Sequence, residues 1–203
     1  FADAEHLKQA RPELYAHEYL GRPGGAGSEV FSNLEAAAIS DAQIAGFDRV
    51  YSGVDWGFYP DPWAFNQCAF DAGRRTLYLF REATRRRAGN AETAALLHAL
   101  GVTGRITADS AEPKSVQDYR RAGLRCHAAI KGPGSVEYSC KWLQSLEKIV
   151  IDPTRCPDTW REFSGYEYAR GAQGELLEGY PDRETHHIDA VRYALEPVWR
   201  RAR

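Results

Sequence analysis

The stretch "RVYSGVDWGFYPDPWAFNQCAFDAGRRTLYLFREA", Arg49 to Ala83, decides the fold. Its first part, "RVYSGVDWG", is a short apolar strand that stops at a carboxylate, Asp55. "PWAFNQCAFD" and "RTLYLFREA" follow as alternating strands, and the break between them, "DAGRR", has the Asp and Gly chemistry of a tight hairpin turn. Three antiparallel strands in a meander are therefore expected.

Beyond Ala83 strands alternate with helices. A helix over Ala91 to Leu100, with Ala94, Leu97 and Leu100 on one side, leads to "RITADS", a second short strand that ends at a carboxylate, Asp109. "EPKSVQDYRRAG" then reads as a helix with Pro113 in its first turn and Gly123 as its stop. "LRCHAAI" and "KIVID" read as strands, while "SVEYSCKWLQSL" and "PDTWREFSGYEY" read as helices. "YARGAQGELLEGYP" has the look of a hairpin with Gly171 and Gly174 at its tip. In "THHIDAVRYALEP" the apolar residues Ile188, Val191, Leu195 and Val198 recur at helical spacing, which predicts an amphipathic helix. A meander followed by alternation belongs to the α/β class, with a central mixed sheet, antiparallel at first and then parallel, flanked by helices.

Upstream of Arg49, residues 1–48 read as an attachment: a helical pattern over Ala4 to Tyr19, then the Gly- and Pro-rich loop "GRPGGAGSEV". The expected organisation is a linker over 1–48 and one globular domain over 49–203. With no Met anywhere and Phe1 at its start, the sequence is expected to be a piece of a longer chain.

With 43% hydrophobic residues the chain can bury one substantial core, yet no apolar run approaches the roughly 20 residues that cross a bilayer. No signal-peptide pattern opens it either, so a soluble, unsecreted protein is expected, with no membrane partner. Cys68, Cys126, Cys140 and Cys156 lack the close spacing of zinc or redox sites, which predicts free thiols. The net charge of -2 does not by itself suggest a polyanion partner, although it averages over any local basic patch. The dense basic cluster is Arg85, Arg86 and Arg87.

Side chains at the ends of strands in an open sheet point into a crevice where ligands bind. Asp55 and Asp109 at neighbouring strand ends would repel each other unless something positive lies between them, and magnesium or manganese is a natural neutraliser. Asp189 on the last helix would supply a third wall, and His186, three residues earlier, shares its face. Each residue also has a purely local reading: Asp109 as a helix cap, Asp55 as a turn former, Asp189 as a partner of the helix dipole, and the histidines as surface or capping groups. Spacing alone leaves both readings open.

Longer motifs bear on that choice. "GVDWGFYPDPWAF", "ADSAEPKSVQDYRRAG", "KGPGSVEYSCKWLQSLEKIVIDP", "REFSGYEY" and "HHIDAVRYAL" occur in the order seen in large terminase subunits of tailed phages and prophages, and resemble most the PBSX-type group. The resemblance runs from about Asp3 to the end. It includes "PELYAHEYLGRP", similar to the segment that joins a packaging ATPase to its nuclease. No Walker A pattern is present, so ATPase activity is not expected here.

The resemblance implies a ribonuclease H-like nuclease that cuts concatemeric double-stranded DNA during head filling in the cytoplasm of a bacterial host. Its expected partners are DNA, an N-terminal ATPase domain of the same full-length chain, a small terminase subunit and a portal protein. Two divalent ions, Mg2+ or Mn2+, would assist hydrolysis, one at the attacking water and one at the leaving oxygen. Carried over by motif, Asp55 would bridge the metals, Asp109 and Asp189 would each hold one, and His186 would be an adjacent ligand or proton shuttle, while His187 is left out. Lys131, in the loop "IKGPGS", and Arg85, Arg86 and Arg87 are the candidates for phosphate contacts. Asp61, Glu112 and Asp182 are expected to serve turns or the start of a helix rather than metal. A junction resolvase, a hybrid-cutting ribonuclease or a catalytically silent docking module are the alternatives.

Overall fold

A computed structural model describes residues 28–173 and 175–201 of the chain. The expected helical pattern over Ala4 to Tyr19 and the hairpin-tip Gly174 lie outside the described residues. In chain order the elements are β1 (Leu34–Ala36), α1 (Asp41–Ala45), β2 (Val50–Asp55), β3 (Trp63–Asp71), β4 (Thr76–Arg85), α2 (Asn90–Ala99), β5 (Ile106–Ala108), α3 (Pro113–Arg121), β6 (Cys126–Ala128), α4 (Ser135–Gln144), β7 (Lys148–Ile151), α5 (Pro157–Gly165), α6 (His186–Ala194) and α7 (Glu196–Trp199).

The strands form one mixed sheet in the order β1-β7-β4-β3-β2-β5-β6. β3 pairs antiparallel with β2 and β4, and the pairs β4–β7, β1–β7, β2–β5 and β5–β6 are parallel. The meander and the later alternation therefore build the mixed α/β sheet that the sequence implies. Pro113 stands in the first turn of α3, and Gly123 at φ 85° follows its end. Among the described residues, "YARGAQGELLEGYP" folds back on itself only briefly, through an antiparallel bridge between Arg170 and Leu176 flanked by Gly171 N–H donating to the Glu175 carbonyl and Leu177 N–H donating to the Ala169 carbonyl.

Apolar clusters cover the sheet, a small one of Ile39, Ala69, Phe80 and Val150 and two larger ones. One gathers Phe31, Leu77, Leu79, Ile149, Phe163, Ile188, Val191 and Leu195. The other gathers Val54, Phe65, Leu97, Ile106, Val116 and Tyr119. Phe31 and Leu34 belong to the first cluster, and β1 is an edge strand, so the folded unit takes in residues ahead of Arg49. The compositional break at Arg49 is thus not where packing begins.

Helix α6 sits hard against β2 because Gly53 has no side chain. A Cβ there would lie 1.8 Å from the Ala190 carbonyl oxygen and 2.6 Å from the Ala194 nitrogen. The close approach buries α6 on more than one stripe: His187, Arg192 and Tyr193 are buried as well as Ile188 and Val191. Amphipathic spacing was only part of its pattern.

Candidate metal centre

Strand alternation aims the first two carboxylates. Successive side chains on a strand point to opposite faces, so Asp55 shares the face of Gly53, which is the face that α6 covers. Parallel pairing of β2 with β5 sets Gly53 opposite Thr107 and Val54 opposite Ala108. The next residues in this register are Asp55 and Asp109, side by side at the carboxyl ends of adjacent strands. The Asp109 N–H donates to the Val54 carbonyl at 3.0 Å, and the Trp56 indole N–H donates to the Asp109 carbonyl at 2.9 Å. Trp56 thereby fixes the turn after β5, a role its sequence position did not reveal.

The amino end of α6 brings the other two. Thr185 is the N-cap but makes no side-chain cap bond; its hydroxyl donates instead to Asp189 Oδ2 at 3.2 Å. Glu162 on α5 takes over the capping, its Oε2 accepting the N–H groups of His187 at 2.6 Å and Ile188 at 3.2 Å. His186, freed from capping, places Nδ1 3.2 Å from Asp55 Oδ2 and Nε2 3.8 Å from Asp61 Oδ1.

Asp55, Asp109, Lys131, His186 and Asp189 all line one open cleft of ≈ 1230 Å³. Each of the three aspartates, Asp55, Asp109 and Asp189, has its own basic partner. Asp55 has His186, Asp109 has the Lys131 ammonium, and Asp189 has the Arg192 guanidinium. Arg192 is almost fully buried and also donates from Nε to Ser139 Oγ at 2.6 Å, so its place is fixed from two sides. Lys131 reaches Asp109 from the loop before α4, with its ammonium 5.0 Å from the centre of the Tyr193 ring.

Charge is unevenly balanced within this group. Burial pushes the Asp55 carboxyl up to about 6, and the charges of Asp189 and Asp109 add to that against the pull of His186. Burial likewise raises Asp189 despite Arg192 and Thr185. The hydrogen bond to Asp55 raises His186, which favours an imidazolium beside a carboxylate. The donor set is oxygen-rich with one imidazole, and its most buried carboxyl resists ionising. Such a set fits a hard divalent cation, which would stabilise all three carboxylates in their charged form.

Other strand-end acids show what a structural role looks like. Asp152 follows β7, and its carboxylate is spoken for by the N–H groups of Ile39, Thr154 and Arg155. Glu112 accepts from Ser115 near the start of α3. Asp109 is not a helix cap; it accepts from Ala111 N–H at 2.9 Å in a local turn. Among the described residues, the trio whose potential ligand atoms all lie within 4.8 Å of one another is a different one, Glu82, Asp158 and His187. Its atoms are engaged within the fold: Glu82 accepts from Asp158 N–H and from Thr159, Asp158 accepts from Thr84, and His187 bonds Asn66 and Thr84. Burial holds the His187 imidazole down to about 4, so this residue anchors α6 to β3 and β4 as a neutral ring.

The arginine cluster lies to one side. Arg86 donates to the Pro60 carbonyl at 3.3 Å, and Arg87 stacks over Tyr59 at 4.2 Å. Arg85 turns back to the Thr84 carbonyl at 2.7 Å. Arg86 borders a second depression that shares Asp61, Asp182 and His186 with the main cleft.

Residues 55–197, the span from the first carboxylate to just past α6, match the family described as the terminase RNase H-like domain. The chain belongs to this family. It is 38% identical over 199 residues to the terminase large subunit of Bacillus phage SPP1, covering 96% of this chain and 47% of that protein. It is 31% identical over 195 residues to the PBSX phage terminase large subunit of Bacillus subtilis (strain 168), covering 94% and 45%. The chain thus spans about half the length of these terminase relatives. Among solved structures it is similar to the SPP1 large terminase nuclease domain with bound Mn, at 37% identity and a TM-score of 0.77, over 82% of this chain and 97% of that one. The P22 large terminase nuclease domain shares the fold at 18% identity and a TM-score of 0.61, over 85% and 92%. In this terminase domain the four residues expected from the sequence meet in one cleft, with Trp56, Glu162, Thr185 and Arg192 as supports that local pattern did not mark.

Proposed function

We infer that the chain is the nuclease part of a terminase large subunit and hydrolyses phosphodiester bonds of double-stranded DNA. The observation that carries this reading is the convergence of Asp55, Asp109, Asp189 and His186, from three separate parts of a terminase RNase H-like domain, in one open cleft. The residues fit magnesium or manganese, and a relative of the same family has been solved with bound Mn. Two such ions, when bound, supply an activated water on one side of the phosphate and stabilisation of the leaving oxygen on the other.

The chain's own groups prepare that chemistry. Asp55 and Asp109 present oxygens from adjacent strand ends, and Asp189 faces them with its orientation set by Thr185 and Arg192. His186 lies between Asp55 and Asp61 and can hold a proton at Nδ1 or Nε2 near neutral pH. Lys131 and the arginines at 85–87 supply positive charge for the DNA backbone, giving binding that tolerates sequence and weakens as salt rises.

In the full-length protein this activity would cut concatemeric DNA at the start and end of head filling, in the host cytoplasm. An N-terminal ATPase domain, a small terminase subunit and a portal protein are its expected partners. The decisive assay is incubation of supercoiled plasmid with Mg2+, Mn2+ or chelator, alongside an Asp189→Ala protein. Nicking and linearisation are expected with the metals alone. Intact plasmid with Mn2+, or equal cutting by the variant, would overturn the assignment.

A further inference from the structure

The basic partners of Asp55, Asp109 and Asp189 differ in how firmly they are held. Arg192 has 6% of its side chain exposed and is fastened to both Asp189 and Ser139. His186 is fixed by its place in the first turn of α6. Lys131 has 39% of its side chain exposed and stands in the loop "AIKGPGS", where Gly134 adopts a left-handed φ of 71° just before α4. Its ammonium ends a flexible four-carbon stem that lies by the Tyr193 ring and can swing without disturbing the fold.

Lys131 rests on Asp109 Oδ1 and so draws on a carboxylate that the proposed metal centre requires. A monovalent ammonium and a divalent cation cannot both take that oxygen at full strength. We propose that Lys131 is a built-in competitor for the metal: it occupies Asp109 until a divalent cation displaces it, and the released ammonium then turns to a backbone phosphate of the DNA. This inference rests on the metal-centre reading above and adds a regulation to it. By linkage, a phosphate that draws Lys131 away must also ease metal binding at Asp109. The cleft would be charged with metal most readily when DNA lies in it.

The test is calorimetric titration of Mn2+, without DNA, into the whole 203-residue chain and its variants. Lys131→Met removes the competitor and should bind Mn2+ at least about fivefold tighter than the wild type. Lys141→Met is the control for charge alone, because Lys141 lines the same cleft but pairs with Glu137 instead of a metal carboxylate. Its Mn2+ affinity should match the wild type. Equal affinities for wild type and Lys131→Met would overturn the competitor role, as would an equal gain in both lysine variants. If no protein binds Mn2+ at all, the metal-centre reading itself falls, and the competitor role with it. Fluorescence anisotropy with a 20-base-pair duplex in Ca2+ adds a second readout: the Lys131→Met protein should show a shallower salt dependence, by about one charge.

Discussion

Arg192 lies one turn after Asp189 on the same helix and binds its Oδ1, while Thr185, one turn before, donates to Oδ2. The carboxylate is therefore gripped along the axis of α6 and presented sideways to the strand ends. Replacing Arg192 by Met leaves a part-buried carboxylate without its cation. A stability loss of about 3 kcal/mol is expected in urea melts, together with metal affinity weakened by roughly 10–100-fold. Arg192→Lys should recover part of the stability but less of the affinity, because an ammonium cannot bond Ser139 and Asp189 in the same planar arrangement. Unchanged Mn2+ affinity in Arg192→Met would show that Asp189 orients itself.

Asp55 is held in an environment that disfavours its charge. Asn at this position would remove the charge while keeping the shape. Cleavage should fall by more than the roughly 100-fold that losing an outer partner of a ligand produces. Metal-free stability at pH 8 should rise by about 1–3 kcal/mol, since the ionised carboxyl no longer has to be accommodated. Thermal melts in chelator check the second half, and a lower melting temperature for Asp55→Asn would refute it.

Gly53→Ala tests the seat of α6. The new methyl would meet backbone atoms at 1.8 and 2.6 Å, and backbone cannot rotate away as a side chain can. A loss of about 3 kcal/mol or more is expected, with cleavage impaired beyond what the stability loss alone produces, because α6 carries half of the site. A variant that melts like the wild type would mean that α6 moves at little cost.

The metal-free protein should also lose stability as pH rises above 6.5. Burial raises Glu162 from an ordinary 4.5 to about 8, so across that window the folded state holds a proton that the unfolded state releases. Stability then falls with rising pH. His186, raised above its ordinary value, acts in the same direction as it loses its proton in the fold. His187, held down to about 4, acts oppositely, but only between 4 and 6.5, where the unfolded chain takes up the proton first. Between pH 6.5 and 8 the contribution of Glu162 is at most about 2 kcal/mol. Urea midpoints at the two pH values should show the fall, and Glu162→Gln should flatten it.

Much of the fold was legible because its strands are punctuated. Asp55 and Asp109 announce the ends of β2 and β5, and "DAGRR" announces the hairpin between β3 and β4. β1 was not legible: it has three residues and owes its place to pairing with β7, far along the chain. The four expected site residues do reach one cleft, and their motifs were what singled them out from other acids such as Asp152. Their supports stayed hidden for a physical reason. Glu162 looks like any charged residue of a helix until α6 is docked, and Arg192 looks like a surface arginine until α6 is seen to be buried on several sides. His187, set aside in the sequence as the less informative of two histidines, is outside the candidate metal cleft, and its burial under β3 and β4 follows from packing that no local spacing records.

His186 and Asp55 are 131 residues apart, and the helix that closes the cleft is one of the last elements of the fold. A growing chain that has already emerged through β2 and β5 holds two carboxylates with no third wall and no imidazole. On the function proposed above, cleavage would have to wait on translation of α6: a chain that ends before it carries the sheet and two carboxylates but not the completed cleft.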